Sequence, residues 1–231
     1  MSAKDITIKP IPKNVADKIV KKYHYSGKTV SNSNLNFGVY YKGILLGAMQ
    51  YGSPMVKEKM LGLVKGATWD SLVELNRMAF SDRLPRFGES RCISQSIKWM
   101  KKNAKHIKWI ISFADGTQCG HGTIYQASNF MLTNIKKNIG LIRLPNGNVV
   151  HQMSLRVDNN PDMRRKGYSS IDEYLKKEHA GFEILKGYMF RYIYFIDKEY
   201  KENFTGEDIP FCKIKELGIE MYKGKLVSEE H

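Results

Sequence analysis

The sequence predicts one α/β domain with a mixed, mainly antiparallel sheet flanked by helices. Two strand-like runs at residues 35–41 and 44–51 are joined by a two-residue Lys-Gly turn, which is typical of an antiparallel hairpin. Further on, a strand over 71–81 is followed by a loop, a helix and an apolar strand from Trp109. A strand–loop–helix–strand unit implies a parallel pair, so the sheet is expected to be mixed.

The other elements follow from hydrophobic periodicity and capping signals. A short strand over 5–12 precedes a helix from Asn14, and residues 55–70 are expected to form a loop or lid. The later elements are a helix from about Ser90, a helix over 123–132, strands over 148–157 and 189–196, and between those strands a helix over 170–177. We expect the domain to span residues 1–200, with 201–231 as its C-terminal extension.

Composition narrows the class of protein. The 231 residues carry a net charge of +14, which points to a polyanionic partner, a membrane surface or simply a basic soluble protein. We find neither a signal peptide nor an apolar run long enough for a bilayer, so we expect a cytoplasmic protein with no membrane partner. Three widely spaced cysteines argue against a disulfide framework and a zinc ribbon.

The segment over 109–130 concentrates polar, titratable residues behind a buried strand. The apolar run ends in a loop with Asp115, Cys119, His121 and three glycines, and a helix-like stretch with Tyr125 follows. Ligand sites of α/β sheets lie where strands end and helices begin. We therefore expect Asp115 to be a catalytic base; the alternatives are that Asp115 caps the next turn and that Tyr125 packs against the sheet.

A second constellation lies on the strand over 71–81. Strand alternation puts Glu74 and Asn76 on one face and Arg77 on the other, unless a bulge brings Arg77 to the same face. Apolar neighbours would partly bury Glu74 and raise its pKa toward that of a general base. A structural pairing of Glu74 with an arginine is the alternative.

A third candidate is the loop that opens the helix near Ser90. Backbone amides at a helix N-terminus bind anions, and arginines strengthen that binding. Arg86, Gly88, Ser90 and Arg91 are therefore expected to hold the pyrophosphate of a phosphorylated small molecule. The alternative is an ordinary loop with exposed arginines.

Lysines and tyrosines favour a nucleic acid as the partner. Lysines cluster over 18–28 and 98–108, and tyrosines such as Tyr25 lie among the charges. Lysines neutralise phosphates, and enzymes that alter a base often sandwich it on aromatic rings. Solvated helix faces and core tyrosines are the alternatives. His24 with Asp115 or His121 could bind iron, although a polar loop without metal is the alternative.

The order of elements resembles the GCN5-related N-acetyltransferase fold, and several motifs together resemble the Mom family of phage DNA-modification proteins. The resemblance covers about residues 24–198. The motifs are Tyr23-His24-Tyr25, Glu74-Leu-Asn-Arg77, the loop over 86–91, Ser112-Phe-Ala-Asp115, Gly122-Thr-Ile-Tyr-Gln-Ala127 and the strand over 191–198.

This resemblance implies a transferase that converts adenine in double-stranded DNA to N6-carbamoylmethyladenine (acetamido-adenine) and protects phage DNA from host restriction in the host cytoplasm. It implies acetyl-CoA or a related donor, although Arg86 stands where acetyltransferases usually have glycine. The site residues implied are Arg77, Asp115 and Tyr125, the last as general acid, supported by His24, Tyr25, Ser112 and Glu74.

Two other functions stay open at this point. One is an acyl-CoA-dependent N-acetyltransferase that acts on a protein, a tRNA or a small amine. The other is a basic DNA-binding protein that kept the fold and lost the chemistry. The polar loop from Asp115 to Tyr125 argues against the second, since phosphate binding alone needs no acid or base.

Overall fold

A mixed eight-stranded sheet forms the body of the protein. The computed structural model describes residues 2–219 and the backbone of 221–222 and 225–226. The strands are β1 (Ile6–Pro10), β2 (Ser33–Tyr41), β3 (Ile44–Gly52), β4 (Leu72–Phe80), β5 (Trp109–Asp115), β6 (Met131–Arg143), β7 (Val149–His151) and β8 (Glu183–Phe195), with the short pair β9 (Met221–Tyr222) and β10 (Lys225–Leu226) separate. Their order in the large sheet is β1-β2-β3-β4-β5-β8-β6-β7. In that sheet β4 and β5 pair in parallel and the other pairs are antiparallel, so the predicted mixed sheet is confirmed.

Helices cover both faces of the sheet. They are α1 (Lys13–Tyr23), α2 (Lys57–Leu61), α3 (Gly88–Asn103), α4 (Thr123–Gln126), α5 (Pro161–Arg165), α6 (Ile171–Glu178), α7 (Lys198–Glu202) and α8 (Cys212–Glu216). On β3, the Gln50 amide donates to Asp17 of α1 at 2.9 Å, whereas the Tyr51 hydroxyl bonds to Ser96 of α3 at 2.6 Å. Successive strand residues point to opposite faces, so α1 and α3 lie on opposite faces.

The predicted hairpin is confirmed. Lys42 and Gly43 have φ angles of 49° and 80°, and the two strands flank them with antiparallel register. Positive φ at both central positions is the conformation whose twist matches that of paired strands.

The helix predicted over 123–132 is wrong in its second half. α4 ends at Gln126, Asn129 takes a φ of 61°, and β6 begins at Met131. A left-handed residue cannot continue a right-handed helix, so the chain turns there. β6 itself was not predicted, because its apolar and polar residues do not alternate regularly, and its structure depends on pairing with the distant strand β8.

The two later strands also differ from their predicted bounds. Only β7 forms in the predicted strand over 148–157, because a 3-10 helix follows at Gln152–Leu155. His151 stabilises it: its ring accepts from the Met153 amide at 3.0 Å, and its carbonyl accepts from the Ser154 hydroxyl at 2.6 Å. β8 begins at Glu183, well before the predicted 189.

The segment between β6 and β8 has a hydrophobic core of its own. The predicted helix over 170–177 is confirmed as α6, and α5 precedes it. The buried residues of this second core are Ile142, Leu144, Leu155, Met163, Tyr174 and Leu175. The long strands β6 and β8 therefore carry a small lobe beyond the main sheet.

Residues 55–70, predicted as a loop or lid, contain α2 and are packed against the sheet. Their apolar side chains, including Leu61 and Val64, form a cluster with Trp109 and Ile193. In the C-terminal extension, Ile214 joins the main core, and residues of that extension beyond 219 lie outside the described residues apart from the backbone of β9 and β10. No helix in the described part of the chain is long and apolar enough to cross a membrane.

Two buried tyrosines give a matched test of the core. Ser96 donates its single proton to the Ile93 carbonyl at 2.8 Å, so Tyr51 donates to Ser96. The hydroxyl of Tyr41 is also buried, and it has no hydrogen-bond partner among the described residues. We expect Tyr51→Phe to lower the free energy of unfolding by about 1–2 kcal/mol and Tyr41→Phe to leave it unchanged or raise it. Urea melts of both variants test this, and an equal loss in the two would contradict it.

Candidate active site

The candidate site is a cleft between β4 and β5, where the two strands stop pairing. Their parallel ladder joins Leu72–Glu74 to Trp109–Ile111 and ends there, although β4 continues to Phe80 and β5 to Asp115. The gap holds a cavity of 740 Å³. Consecutive residues of both strands line it, so the cleft is reached by side chains from both faces of the sheet.

A bulge in β4 sets which side chains meet in this cleft. Arg77 pairs with Gln50 and Leu75 with Tyr51, so Asn76 is an extra residue on β4. The extra residue interrupts the alternation and places Glu74 and Arg77 on the same face of the sheet. The sequence left this arrangement conditional on a bulge, and the structure shows the bulge.

Glu74 has the most strongly perturbed carboxyl of the cleft. Burial raises its pKa to about 7, against the opposing effects of a hydrogen bond from Asn76 and the charge of Arg77. The Arg77 guanidinium is held by the backbone, since it donates to the Lys28 carbonyl at 3.2 Å and to the Asn76 carbonyl at 2.7 Å. Glu74 can therefore exchange a proton near neutral pH beside a fixed positive charge.

His24 and Tyr25 close the cleft from the end of α1. Burial, and then the charge of Arg77, lower the pKa of His24 to about 4, so the ring is neutral near pH 7. Its Nδ1 accepts from the Ser26 amide at 3.2 Å, which leaves the proton of the neutral ring on Nε2. The Tyr25 ring packs on His24 with centroids 4.3 Å apart, and 53% of Tyr25 is exposed. This pair offers an aromatic surface at the mouth of the cleft.

The Asp115 carboxylate lines the cleft and organises the loop after β5. It accepts hydrogen bonds from the Thr117 amide at 3.0 Å, the Gln118 side chain at 2.9 Å and the Asn138 side chain at 3.2 Å. Its backbone carbonyl accepts from Cys119. The hydrogen bonds from Thr117 and Gln118 hold the turn that follows β5, so the arrangement matches the turn-capping alternative considered for this residue.

Tyr125 and Ser112 form a buried pair on the inner wall. The Ser112 hydroxyl lies 3.1 Å from the Leu75 carbonyl and 2.8 Å from the Tyr125 hydroxyl. If Ser112 gives its single proton to the carbonyl, which can only accept, Tyr125 donates to Ser112. Burial raises the pKa of Tyr125, so this hydroxyl keeps its proton at neutral pH. The Tyr125 ring packs on Tyr192 with centroids 5.1 Å apart.

Gly122 allows the turn that delivers Tyr125 to this wall. Its φ is +87°, and a Cβ there would lie 2.5 Å from the ring of Tyr192. Both the backbone conformation and the close approach require glycine. The Tyr192 hydroxyl in turn donates to the carbonyl of His121 and fixes the loop from the opposite side.

The residues predicted to hold a donor phosphate lie beside the cleft rather than in it. The Arg91 guanidinium donates to the Lys4 carbonyl at 3.0 Å, and the Ser90 hydroxyl donates to the Phe87 carbonyl at 3.1 Å. Gly88 is buried, and a Cβ there would lie 2.7 Å from Leu84. These three residues have structural partners, whereas the Arg86 guanidinium lies over the exposed Phe87 ring and keeps its charge near the first turn of α3.

Several residues of the cleft carried no clear signal in the sequence. Glu89 and Met189 line it together with the predicted residues. Met189 reaches the cleft because β8 pairs with β5, a long-range contact that local patterns do not show. His24, Asp115 and His121 share the cavity, but the described residues contain no group of three or more His, Cys, Asp or Glu side chains that could hold a metal ion. The iron interpretation therefore has no ligand set.

The fold and the cleft define an α/β protein with a site suited to proton transfer during group transfer. The chain belongs to the Mom protein family, whose model matches residues 5–213. It is 30% identical over 197 residues to the methylcarbamoylase Mom of Escherichia phage Mu, a match that covers 85% of this chain and 78% of the phage protein. The family that the sequence motifs resemble is thus confirmed.

Solved structures similar to this chain include acetyltransferases. The chain is 12% identical to Arabidopsis thaliana NAA60 in complex with a bisubstrate analogue, over 83% of this chain and 99% of that one, with a TM-score of 0.48. It is 11% identical to an IAA acetyltransferase from Bacillus cereus, over 81% and 97% of the two chains, with a TM-score of 0.45.

The perturbed pKa of Glu74 predicts a pH-dependent stability. A carboxyl whose pKa is raised in the folded state stabilises the fold when protonated and loses that contribution as pH rises through about 7. We expect Glu74→Gln to be more stable than the wild type at pH 8 and nearly equal to it at pH 5. Urea unfolding at the two pH values measures this, and an unchanged difference between them would contradict the buried, protonated carboxyl.

Proposed function

We propose that this protein transfers a carbamoylmethyl group to N6 of adenine in double-stranded DNA, which yields N6-carbamoylmethyladenine and protects phage DNA from host restriction. The single observation that carries the proposal is the cleft itself. It places a carboxyl that titrates near neutrality, a neutral histidine and a protonated tyrosine within one cavity. Membership of the Mom family supports the same function.

The chemistry of adenine explains why such a cleft is needed. The lone pair of N6 is delocalised into the ring, so the amine attacks only with an activated electrophile, with removal of its proton, or with both. Glu74 is ionised in about half of the molecules near pH 7, which suits a general base. Asp115, the base expected from the sequence, is proposed instead to position the loop, because its carboxylate already accepts three hydrogen bonds.

In the proposed transfer, each bond that forms is matched by a bond that breaks, and residues of the cleft accept and supply the protons. Adenine N6 forms a bond to the methylene carbon of the carbamoylmethyl group while that carbon's bond to its leaving group breaks. Glu74 takes the proton from N6, and Tyr125 gives a proton to the leaving group. Arg77 stabilises negative charge near the reacting atoms, and the Nε2 proton of His24 orients a polar group of the substrate.

The donor is proposed to be a phosphorylated carrier related to acetyl-CoA. The acetyl group contains no nitrogen, so acetyl-CoA alone lacks the amide nitrogen of the product. Arg86 and the first-turn amides of α3, which have no partners within the helix, would hold the anionic part. When bound, that carrier supplies the activated carbon; the residues of the cleft supply the acid and the base.

The adenine is proposed to enter the cleft after leaving the DNA stack. Tyr25, half exposed and packed on His24, gives the base a surface to stack on. The net charge of +14 supplies affinity for the phosphates that does not depend on sequence.

Nucleoside mass spectrometry tests this function. DNA from cells that express the chain is digested and compared with DNA from cells that express the Asp115→Ala or Glu74→Gln variant at equal soluble levels. A deoxyadenosine heavier by a carbamoylmethyl group, present only with the wild type, is the expected result. Unmodified DNA with abundant folded wild-type protein, together with acetylation of a protein, tRNA or small amine, would contradict it.

The acid on the inner wall can be tested separately. We expect Tyr125→Phe to lower the yield of modified adenine on the order of 100-fold, because the leaving group loses its proton donor. Ser112→Ala keeps that donor and is expected to retain most of the yield. The ratio of modified to unmodified deoxyadenosine in the same digests measures both variants, and equal yields from Tyr125→Phe and the wild type would remove Tyr125 from the reaction.

A further inference from the structure

A second cavity of 410 Å³ lies at the other end of β4 from the cleft. Leu72 and Val73 of β4 line it, whereas the cleft begins at Glu74. The polar and aromatic residues of its wall are Asn34, Ser53, Lys57, Trp69, Asp70, Trp99 and His106. None of these residues takes part in the proposed reaction.

Lys57 is the unusual member of this wall. Only 6% of the residue is exposed, and its side chain makes neither a hydrogen bond nor an ion pair within 4 Å with any residue in the described part of the chain. Lysine is almost never so buried without a partner. Its contact is with the ring of Trp69, whose centroid lies 4.6 Å from Nζ. Burial lowers the pKa of Lys57, and the more distant charge of Asp70 only partly opposes this effect.

Trp69 presents an aromatic surface next to that ammonium. It keeps 57% of its surface exposed, which is unusual for the largest side chain in a protein. The one carboxylate on the wall, Asp70, accepts from the Thr68 hydroxyl at 2.8 Å and makes no ion pair with Lys57 among the described residues. The cavity therefore combines a cation, a stacking surface and a hydrogen-bond acceptor.

These three features together fit a nucleotide. A phosphate satisfies the ammonium, a base stacks on the indole, and an exocyclic amine donates to the carboxylate. Nearby, a further depression shares Ile107 with this cavity, and Lys101 and Lys105 keep it positive beside the Lys108–Asp197 ion pair. A continuing basic surface suits a nucleotide that belongs to a strand.

We propose that this cavity is a second DNA contact, in which Lys57 binds a backbone phosphate and Trp69 stacks on a base of the substrate. The proposal rests on DNA being the substrate and explains the packing of residues 55–70 against the sheet. Because β4 runs from this cavity into the cleft, DNA held here is kept close to the reacting groups. The site adds affinity and takes no part in the chemistry.

Binding of a labelled DNA duplex by fluorescence anisotropy tests the proposal. We expect Lys57→Gln and Trp69→Ala each to raise the Kd about fivefold or more, and Trp69→Phe to stay within about twofold of the wild type. Lys57→Gln is also expected to reduce the slope of log Kd against log salt by about one. Lys59→Gln, which removes an exposed charge from the same helix, is the matched control and is expected to change the Kd less than Lys57→Gln.

Three results would overturn the site. Equal weakening by Lys57→Gln and Lys59→Gln would reduce Lys57 to general charge, and full binding by Trp69→Ala would remove the stacking contact. A third result has two parts: free dAMP quenches the fluorescence of Trp69, and the folded Lys57→Gln variant binds the duplex as well as the wild type does. Together these would assign the cavity to a mononucleotide. The nucleoside digests separate this proposal from the proposed function. If the Lys57 and Trp69 variants weaken duplex binding but the wild type yields no modified adenine, the DNA contact is supported and the proposed function is contradicted.

Discussion

The separation of β4 from β5 is the constraint on which the rest of the site depends. β4 and β5 pair in parallel for three residues and then diverge. Beyond that point the edges of the two strands that face each other are no longer paired, although the gap lies in the middle of the sheet. That gap makes the cleft, in which Glu74 is partly buried and has no ion pair within the described part of the chain. The bulge at Asn76 adds to this, because it turns Arg77 to the face of Glu74. Geometry that weakens the sheet thus creates the environment for proton transfer.

The protonation states of the cleft follow from this environment. Desolvation acts in opposite directions on acids and bases: it raises the pKa of Glu74 and Tyr125 and lowers that of His24. The result is a neutral ring, a neutral phenol and a carboxyl poised near neutrality within one cavity. Asp115 lies in the same cleft, and its carboxylate accepts hydrogen bonds from Thr117 and Gln118 of its own loop and from Asn138 of β6. The two carboxyls thus differ in their surroundings: that of Glu74 has a raised pKa, whereas that of Asp115 is hydrogen-bonded to its own loop.

The sequence predicted the centre of the fold better than its edges. The hairpin around Lys42, the parallel unit and the residues of the cleft could be predicted, because they depend on turn chemistry, on short connections and on polar residues placed at strand ends. β6 and the lobe after it could not be predicted. Their stability comes from pairing with β8 and from a second core that is formed by residues distant in sequence. Turn capping by Asp115 could be predicted as an alternative, but its hydrogen bond from Asn138 could not, since Asn138 lies on β6. The burial of Lys57 could not be predicted, because it cannot be deduced from the neighbours of this residue in the sequence.

The most direct test of the account is the titration of Glu74 in the free protein. Carbon-13 NMR of side-chain carboxyl groups, with Glu74→Gln to assign the signal, measures its pKa without DNA or donor. We expect the Glu74 carboxyl to titrate with a midpoint near pH 7. Arg77→Gln should move this midpoint upward, because a neighbouring positive charge is lost. A midpoint below pH 5 would show that Glu74 is hydrated and ionised, and it would contradict the claim that the gap between β4 and β5 prepares this residue to accept a proton.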